Sequence, residues 1–184
     1  MNNFKKTLFV LFAFTTQTTL PSFSRKALMT TVALAATLKT AECATAYDQE
    51  ATQRLWHAIV VNDLIAAQKA IDEGANPNGT PEESFLVLAT KCNLLASVKF
   101  LIFHKADVNA RCKFLQQTPL IIACIHGRPK IVNALLEAKA DYALEDKNCM
   151  TALEWAETDA ELYKNTEREI AYQECIDLIQ KRMK

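Results

Sequence analysis

Thr118-Pro119-Leu120-Ile121-Ile122-Ala123 holds a helix start, a buried first turn and a small packing residue in six positions, and its parts recur on both sides. Seventeen residues after Ala123 comes Ala140-Asp141, and the same interval joins Ala89 to Ala106-Asp107 and Ala58 to Ala75-Asn76. A further start, Thr151-Ala152-Leu153-Glu154-Trp155-Ala156, stands 33 residues after Thr118. That period is the length of a turn plus two antiparallel helices, a unit that buries its apolar face only by stacking on a copy of itself.

The composition agrees with a helical stack. Half of the 184 residues are apolar, with only 3 glycines and 5 prolines, so the chain can bury a core and is not of low complexity. Basic and acidic residues balance at 21 each, which leaves no global field to draw the protein to nucleic acid.

On these residues the chain resembles the ankyrin repeat family. Thr118-Pro119-Leu120 and Ala123 match its Thr-Pro-Leu-His-x-Ala signature, with Ile121 in place of the histidine. The resemblance implies an all-α solenoid of about four helix-turn-helix repeats with short hairpin loops, over residues 48–184. The repeats are expected at about 48–78, 79–109, 110–143 and 144–184.

The first 46 residues differ in kind, since Glu42 is their first acidic residue. Lys5-Lys6 precede the apolar run Leu8 to Phe14, and Arg25-Lys26 precede a milder run from Ala27 to Leu38. Such a segment is expected to be a signal peptide or other targeting segment, cut after Ser22-x-Ser24 or after Ala44-x-Ala46. The second cut is favoured because it releases a chain beginning at Tyr47, where repeat sequence starts. Neither run has the roughly 18 to 20 apolar residues of a membrane-spanning helix. The expected location is periplasmic or secreted; a cytoplasmic protein with a loose N-terminal tail, or an organellar transit peptide, is the alternative.

Within the repeats, Leu55, Trp56, Ala58 and Ile59 form the expected inner stripe of the first, and Ala66, Ala67, Ala70 and Ile71 the outer one. A turn at Asn62-Asp63 separates them, and Gly74 ends the outer helix. In the second repeat Thr80 is expected to cap a helix with Pro81, Glu82 and Glu83 in its first turn, followed by Phe85, Leu86, Leu88 and Ala89 facing the core. Val98, Leu101 and Ile102 then match Val132, Leu135 and Leu136 of the third repeat, which Thr118 caps and Gly127 and Pro129 divide. Cys149 stands where the family has a glycine in the fourth hairpin, and Asn148 is expected to take the left-handed conformation instead. Cys175, Leu178 and Ile179 arrive about ten residues late, so residues 157–168 extend the inner helix or form a loop. The charged last helix suits a polar cap.

No catalytic, metal-binding or cofactor constellation emerges. His57, His104 and His126 are isolated in three repeats, no Cys-x-x-Cys occurs, and Glu154, Glu157, Asp159 and Glu161 read as a solvated helix face. Cys92, Cys124 and Cys175 fall on helices as small apolar residues; Cys112 and Cys149, in neighbouring hairpins, are the pair whose repeat positions suggest proximity.

The resemblance therefore implies a non-enzymatic, monomeric protein that binds another protein through the concave surface of inner-helix edges and hairpins, without nucleic acid or a stable membrane span. The family's variable places map here onto Lys91, Gln117, His126, Lys147 and Met150, along with Glu83, Ile125, Glu145, Glu157 and Thr158. The one-residue insertion in the third hairpin adds Arg111, Lys113, Phe114 and Leu115. Phe114 is the leading partner anchor, unless it or Leu115 folds back over the neighbouring hairpin. An exported bacterial effector, or a periplasmic inhibitor or protector of an enzyme, is the alternative role.

Overall fold

The computed structural model describes residues 47–80 and 83–183. The expected targeting segment, residues 1–46, lies outside them, as do Pro81 and Glu82. Tyr47–Lys184 forms one compact unit. Its described residues make four antiparallel helix pairs: α1 (Gln49–Val60) with α2 (Leu64–Asp72), α3 (Phe85–Lys91) with α4 (Leu95–Phe103), α5 (Pro119–Ile125) with α6 (Pro129–Glu137), and α7 (Ala152–Leu162) with α8 (Glu167–Met183). Each inner helix packs on its own outer helix and on the next inner one, while the outer helices pack in a parallel row. This is the expected all-helical ankyrin-type solenoid. No helix among the described residues is long and apolar enough to cross a membrane.

Side-chain caps start four of these helices by accepting the N–H groups that a first turn leaves unpaired. Asp48 accepts from the Ala51 N–H, Asp63 from those of Ile65 and Ala66, and Thr118 from Ile121. Thr151 and Glu154 form a reciprocal capping box.

Residues with positive φ end the helices. Asn62, Asn93 and Gly127, at φ 55, 59 and 58°, occupy the same place between inner and outer helices. The fourth repeat has Ala160 there, which strongly favours helix. Accordingly α7 runs on to Leu162, 11 residues against 7 in α3 and α5, and the chain turns only at Asn165, φ 64°. Residues 157–168 thus both extend the helix and form a short loop.

The repeats are also tied to one another by side chains from the start of each hairpin. Asn78 Oδ1 accepts the Asp107 N–H at 2.7 Å, and Asn109 Oδ1 accepts the Asp141 N–H at 2.9 Å. From α4, Ser97 Oγ donates to Asn62 Oδ1 of the first repeat at 2.8 Å, while within the first repeat Thr52 Oγ1 accepts from the Asn76 N–H at 3.0 Å. Ala143 stands where Asn78 and Asn109 stand in their repeats and cannot extend the series.

Some expectations are corrected. Trp56 is 41% exposed, and Ala66 is exposed where Ala67 and Ala70 are buried. Val87 is buried while Leu88 is only partly so. Thr80 caps no helix: Ser84 is the residue before α3, and Gly79 pairs with Ser84 across a tight hairpin in which Thr80 N–H donates to Glu83 O at 3.1 Å. Gly79 permits this, because a side chain there would lie 2.4 Å from Glu83 O. In the fourth hairpin Cys149 itself, not Asn148, takes the positive φ, at 58°; Asn148 is held by its N–H, which donates to Asp146 Oδ1 at 2.8 Å.

Ala58, Ala89, Ala123 and Ala156 are all buried at the inner-helix contact. Replacing Ala123 by Leu should overpack it and cost about 1 to 3 kcal/mol. Lys91→Leu, at an exposed helix end, should change stability by about 0.5 kcal/mol or less. Urea unfolding midpoints compare the two; equal midpoints would contradict the packing assigned to Ala123.

Candidate functional site

The third and fourth hairpins form a joined pair on one rim of the stack. In the third, Cys112 N–H donates to Gln117 O at 2.9 Å and Gln116 N–H to Cys112 O at 3.0 Å, which leaves Lys113-Phe114-Leu115 as the tip. Lys147 N–H of the fourth hairpin donates to Leu115 O at 2.9 Å. Arg111 Nη1 spans both, donating to Glu145 O at 2.7 Å and to Gln116 O at 3.1 Å.

Asp146 anchors this pair from below. It is 6% exposed and accepts hydrogen bonds from Asn148 and Met150 N–H, from Gln117 Nε2 at 3.4 Å and from Trp155 Nε1 at 3.1 Å. Burial pushes its carboxyl up, but these donors outweigh burial and hold it below the usual carboxylate range.

The candidate contact residues divide by this geometry. Phe114 is 82% exposed and does not fold back on the neighbouring hairpin, and Leu115 beside it is also exposed. Lys91, Lys113, His126 and Lys147 are exposed and Met150 is half-buried. Arg111 is exposed, yet its guanidinium is engaged with backbone carbonyls. Gln117 is withdrawn from the candidate surface, being 8% exposed with its amide turned to Asp146.

Two further features went unnoticed in the sequence. Trp56, read as core, instead lines an open groove of about 760 Å³ with Tyr47, Thr52, Asn76 and Glu83. It holds the signature's histidine position, where Val87 and Ile121 of the middle repeats are buried but Trp56 and Glu154 of the end repeats are not. His126 opens onto a second cavity, at the junction of the third and fourth repeats. Its imidazole is pushed down by burial and by Arg128 beside it, with Asp159 pulling the other way.

Of the remaining reactive groups, Cys92 does not take the expected apolar role, being exposed at the end of α3. His104 meets Gln68 Oε1 at 3.0 Å and packs on Phe100, and His57 is exposed on α1. The five described cysteines are free thiols. Cys124 and Cys175, both buried, meet in the core. Hydrogen bonding to Cys175 and burial raise the Cys124 thiol well above its ordinary value, which suits a core residue and not a nucleophile.

Ankyrin repeats (three copies) are the family that matches this chain, over residues 55–146 and 86–162. An ankyrin repeat protein of fowlpox virus (strain NVSL) is 33% identical over 100 residues, which is 51% of this chain. The match covers 33% of that relative's own length.

Asp146→Ala should leave the Trp155 indole and Gln117 amide without their acceptor and cost on the order of 3 kcal/mol in urea unfolding at neutral pH. Because the folded carboxyl titrates below its unfolded value, its contribution is complete above about pH 4 and is lost as pH falls through the lowered value. Wild-type stability should therefore fall more steeply than that of Asp146→Asn below about pH 4; parallel curves would show that the carboxylate charge is not what the donors hold.

Proposed function

The chain belongs to the ankyrin repeat family, and from that premise we propose that it is a non-catalytic module that binds another protein through its inner-helix edges and the tips of its third and fourth hairpins. Ankyrin repeats are generally protein-interaction modules, and the family is typically non-catalytic. One observation supports the particular surface: Phe114 stands 82% exposed on a tip that backbone and guanidinium bonds fix to its neighbour. An aromatic side chain on a rigid mount loses little freedom when a partner covers it, which is what makes such residues dominate binding energy. Lys113 and Lys147 flank it as exposed cations suited to an acidic rim.

The protein acts on this reading as a single copy, exported by its N-terminal 46 residues and working as an effector or as an inhibitor or protector of a partner enzyme. Support for export comes from the two basic pairs, each followed by an apolar run, and from the absence of acidic residues before Glu42.

Affinity capture from the native host with the wild-type protein, set beside Phe114→Ala and Lys113→Ala, tests the surface. Phe114→Ala should weaken partner binding at least about 30-fold, corresponding to about 2 kcal/mol, with an unchanged melting temperature. Retention of full affinity by Phe114→Ala would remove the hairpin tip from the interface. Intact-mass measurement on protein from the native host should give a mature start at Tyr47 or at Arg25; a chain starting at Met1 would rule out cleavage.

A further inference from the structure

Because α7 overruns the place where the other inner helices stop, the loop that follows it and the first turns of α8 stand against the α5–α6 turn and close a cavity of about 540 Å³. Its walls come from two repeats: His126 and Arg128 from the third, and Asp159, Tyr163, Arg168 and Tyr172 from the fourth. Each wall is fixed. Arg128 Nη1 donates to the Thr90 carbonyl, which keeps the guanidinium half-buried and leaves its other N–H groups unused among the described residues. Arg168 lies 5.3 Å over the Tyr163 ring, and that ring stacks on Tyr172 at 5.7 Å with only 10° between planes. Tyr172 is buried and fastened by its hydroxyl, which donates to Ile125 O at 3.1 Å. Gly127 admits the ring, since a Cβ there would sit 3.2 Å from it.

The charge inside this cavity is unbalanced. Among the described residues neither Arg128 nor Arg168 has a carboxylate within 4.0 Å, although exposed pairs elsewhere, such as Arg54 with Glu73, are closed. Asp159 makes no ion pair within that distance either and lies toward His126. Two planar guanidinium groups lining one cavity, one bonded to a carbonyl and one over an aromatic ring, present the forked donors that suit a carboxylate or phosphoryl oxygen pair. Partial enclosure strengthens the attraction over what two surface arginines supply.

We propose that this junction cavity is a subsite for an anionic side chain of the bound protein, with Arg128 and Arg168 as its two donors and the Tyr163–Tyr172 stack as its floor. A peptide lying along the inner-helix edges enters it beside Ile125, and Asp159 offers an acceptor to a peptide N–H. The subsite rests on the reading that this surface binds a protein, but its chemistry can be tested without any partner.

The test is a nuclear magnetic resonance titration of the full chain with N-acetylglutamate amide, with N-acetyl-O-phosphotyrosine amide, and with sodium chloride at matched ionic strength. Both anionic probes carry the shared chemistry, and the tighter one distinguishes a carboxylate from a phosphoryl source. Expected are saturable shifts at His126, Gly127 and Arg168 that chloride does not reproduce. Arg168→Gln should weaken binding at least fivefold, as should Arg128→Gln, while Arg182→Gln near the far end of α8 should stay within twofold. Arg168 is exposed and bonded to no backbone group, so its variant carries the test even if loss of the Thr90 contact unsettles Arg128→Gln. Shifts that chloride matches, or affinity unchanged in Arg168→Gln, would overturn the subsite. Such a failure would leave the Phe114→Ala capture result untouched, and a failure at Phe114 would not alter these titrations.

Discussion

Close approach of the inner helices is the constraint from which the rest of this structure follows. Ala58, Ala89, Ala123 and Ala156 are buried because nothing larger fits between adjacent repeats at that spacing. Each repeat alone exposes an apolar flank and gains stability mainly from its neighbours. The longer side chains, Leu55 and Leu120 of the inner helices and Leu101 and Leu135 of the outer ones, are buried in the core beside this row of small contacts. Asn78 and Asn109 then fix the spacing at the hairpin side by bonding the next repeat's backbone. With packing at one level and hydrogen bonds at another, adjacent repeats have little freedom to slide, and the hairpin tips inherit that rigidity.

A second constraint explains where the fourth repeat departs from the others. Reversal between an inner and an outer helix needs a residue that tolerates a left-handed backbone, and Asn62, Asn93 and Gly127 meet the need. Alanine at 160 does not, so the helix continues to Leu162 and the chain reverses only at Asn165. The longer α7 displaces the start of α8, and the displaced loop and first turn of α8 bring Tyr163 and Arg168 to the edge of the third repeat. The last repeat is thus a cap where Cys175, Ile176 and Ile179 cover the core, and a wall of a polar cavity where Tyr163, Arg168 and Tyr172 line it. Glu169 belongs to this local order as well, since its carboxylate accepts the Asn165 N–H at 2.7 Å and helps the chain turn.

Much of the architecture was legible in the sequence because it depends on local chemistry at a fixed interval. The alanines, the caps at Thr118 and Thr151 and the turn at Asn62-Asp63 each act within a few residues. Local signals misled where two compete: Thr80-Pro81-Glu82-Glu83 has every mark of a helix start, yet Gly79 and Ser84 pair across it and the helix begins at Phe85. Periodicity also cannot say which flank of an end repeat lacks a neighbour, so Trp56 looked like core and lies in a groove. Gln117 and Asp146, 29 residues apart, meet only because two hairpins stack, and Cys124 with Cys175 only because α8 arrives late. Of the candidate site, the exposed tip could be anticipated from an inserted residue, whereas the junction cavity needed the path of residues 163–168.

The two surfaces differ in the physics they offer a partner. At the hairpin tips the main resource is apolar area on a rigid mount, with cations at the rim where water screens them. Their contribution there is to encounter and orientation more than to affinity. In the junction cavity the resource is charge held in partial enclosure, which gains strength only when the incoming group replaces water with well-formed hydrogen bonds. A partner engaging both would be fixed at two points on opposite sides of the third repeat, the tips at one rim and the α5–α6 turn at the other. The helix between those points, α5, is the most thoroughly buried inner helix, with Pro119 through Cys124 all buried. On the proposed reading it would be the rigid spacer whose length sets the distance at which the two features of a partner must be presented.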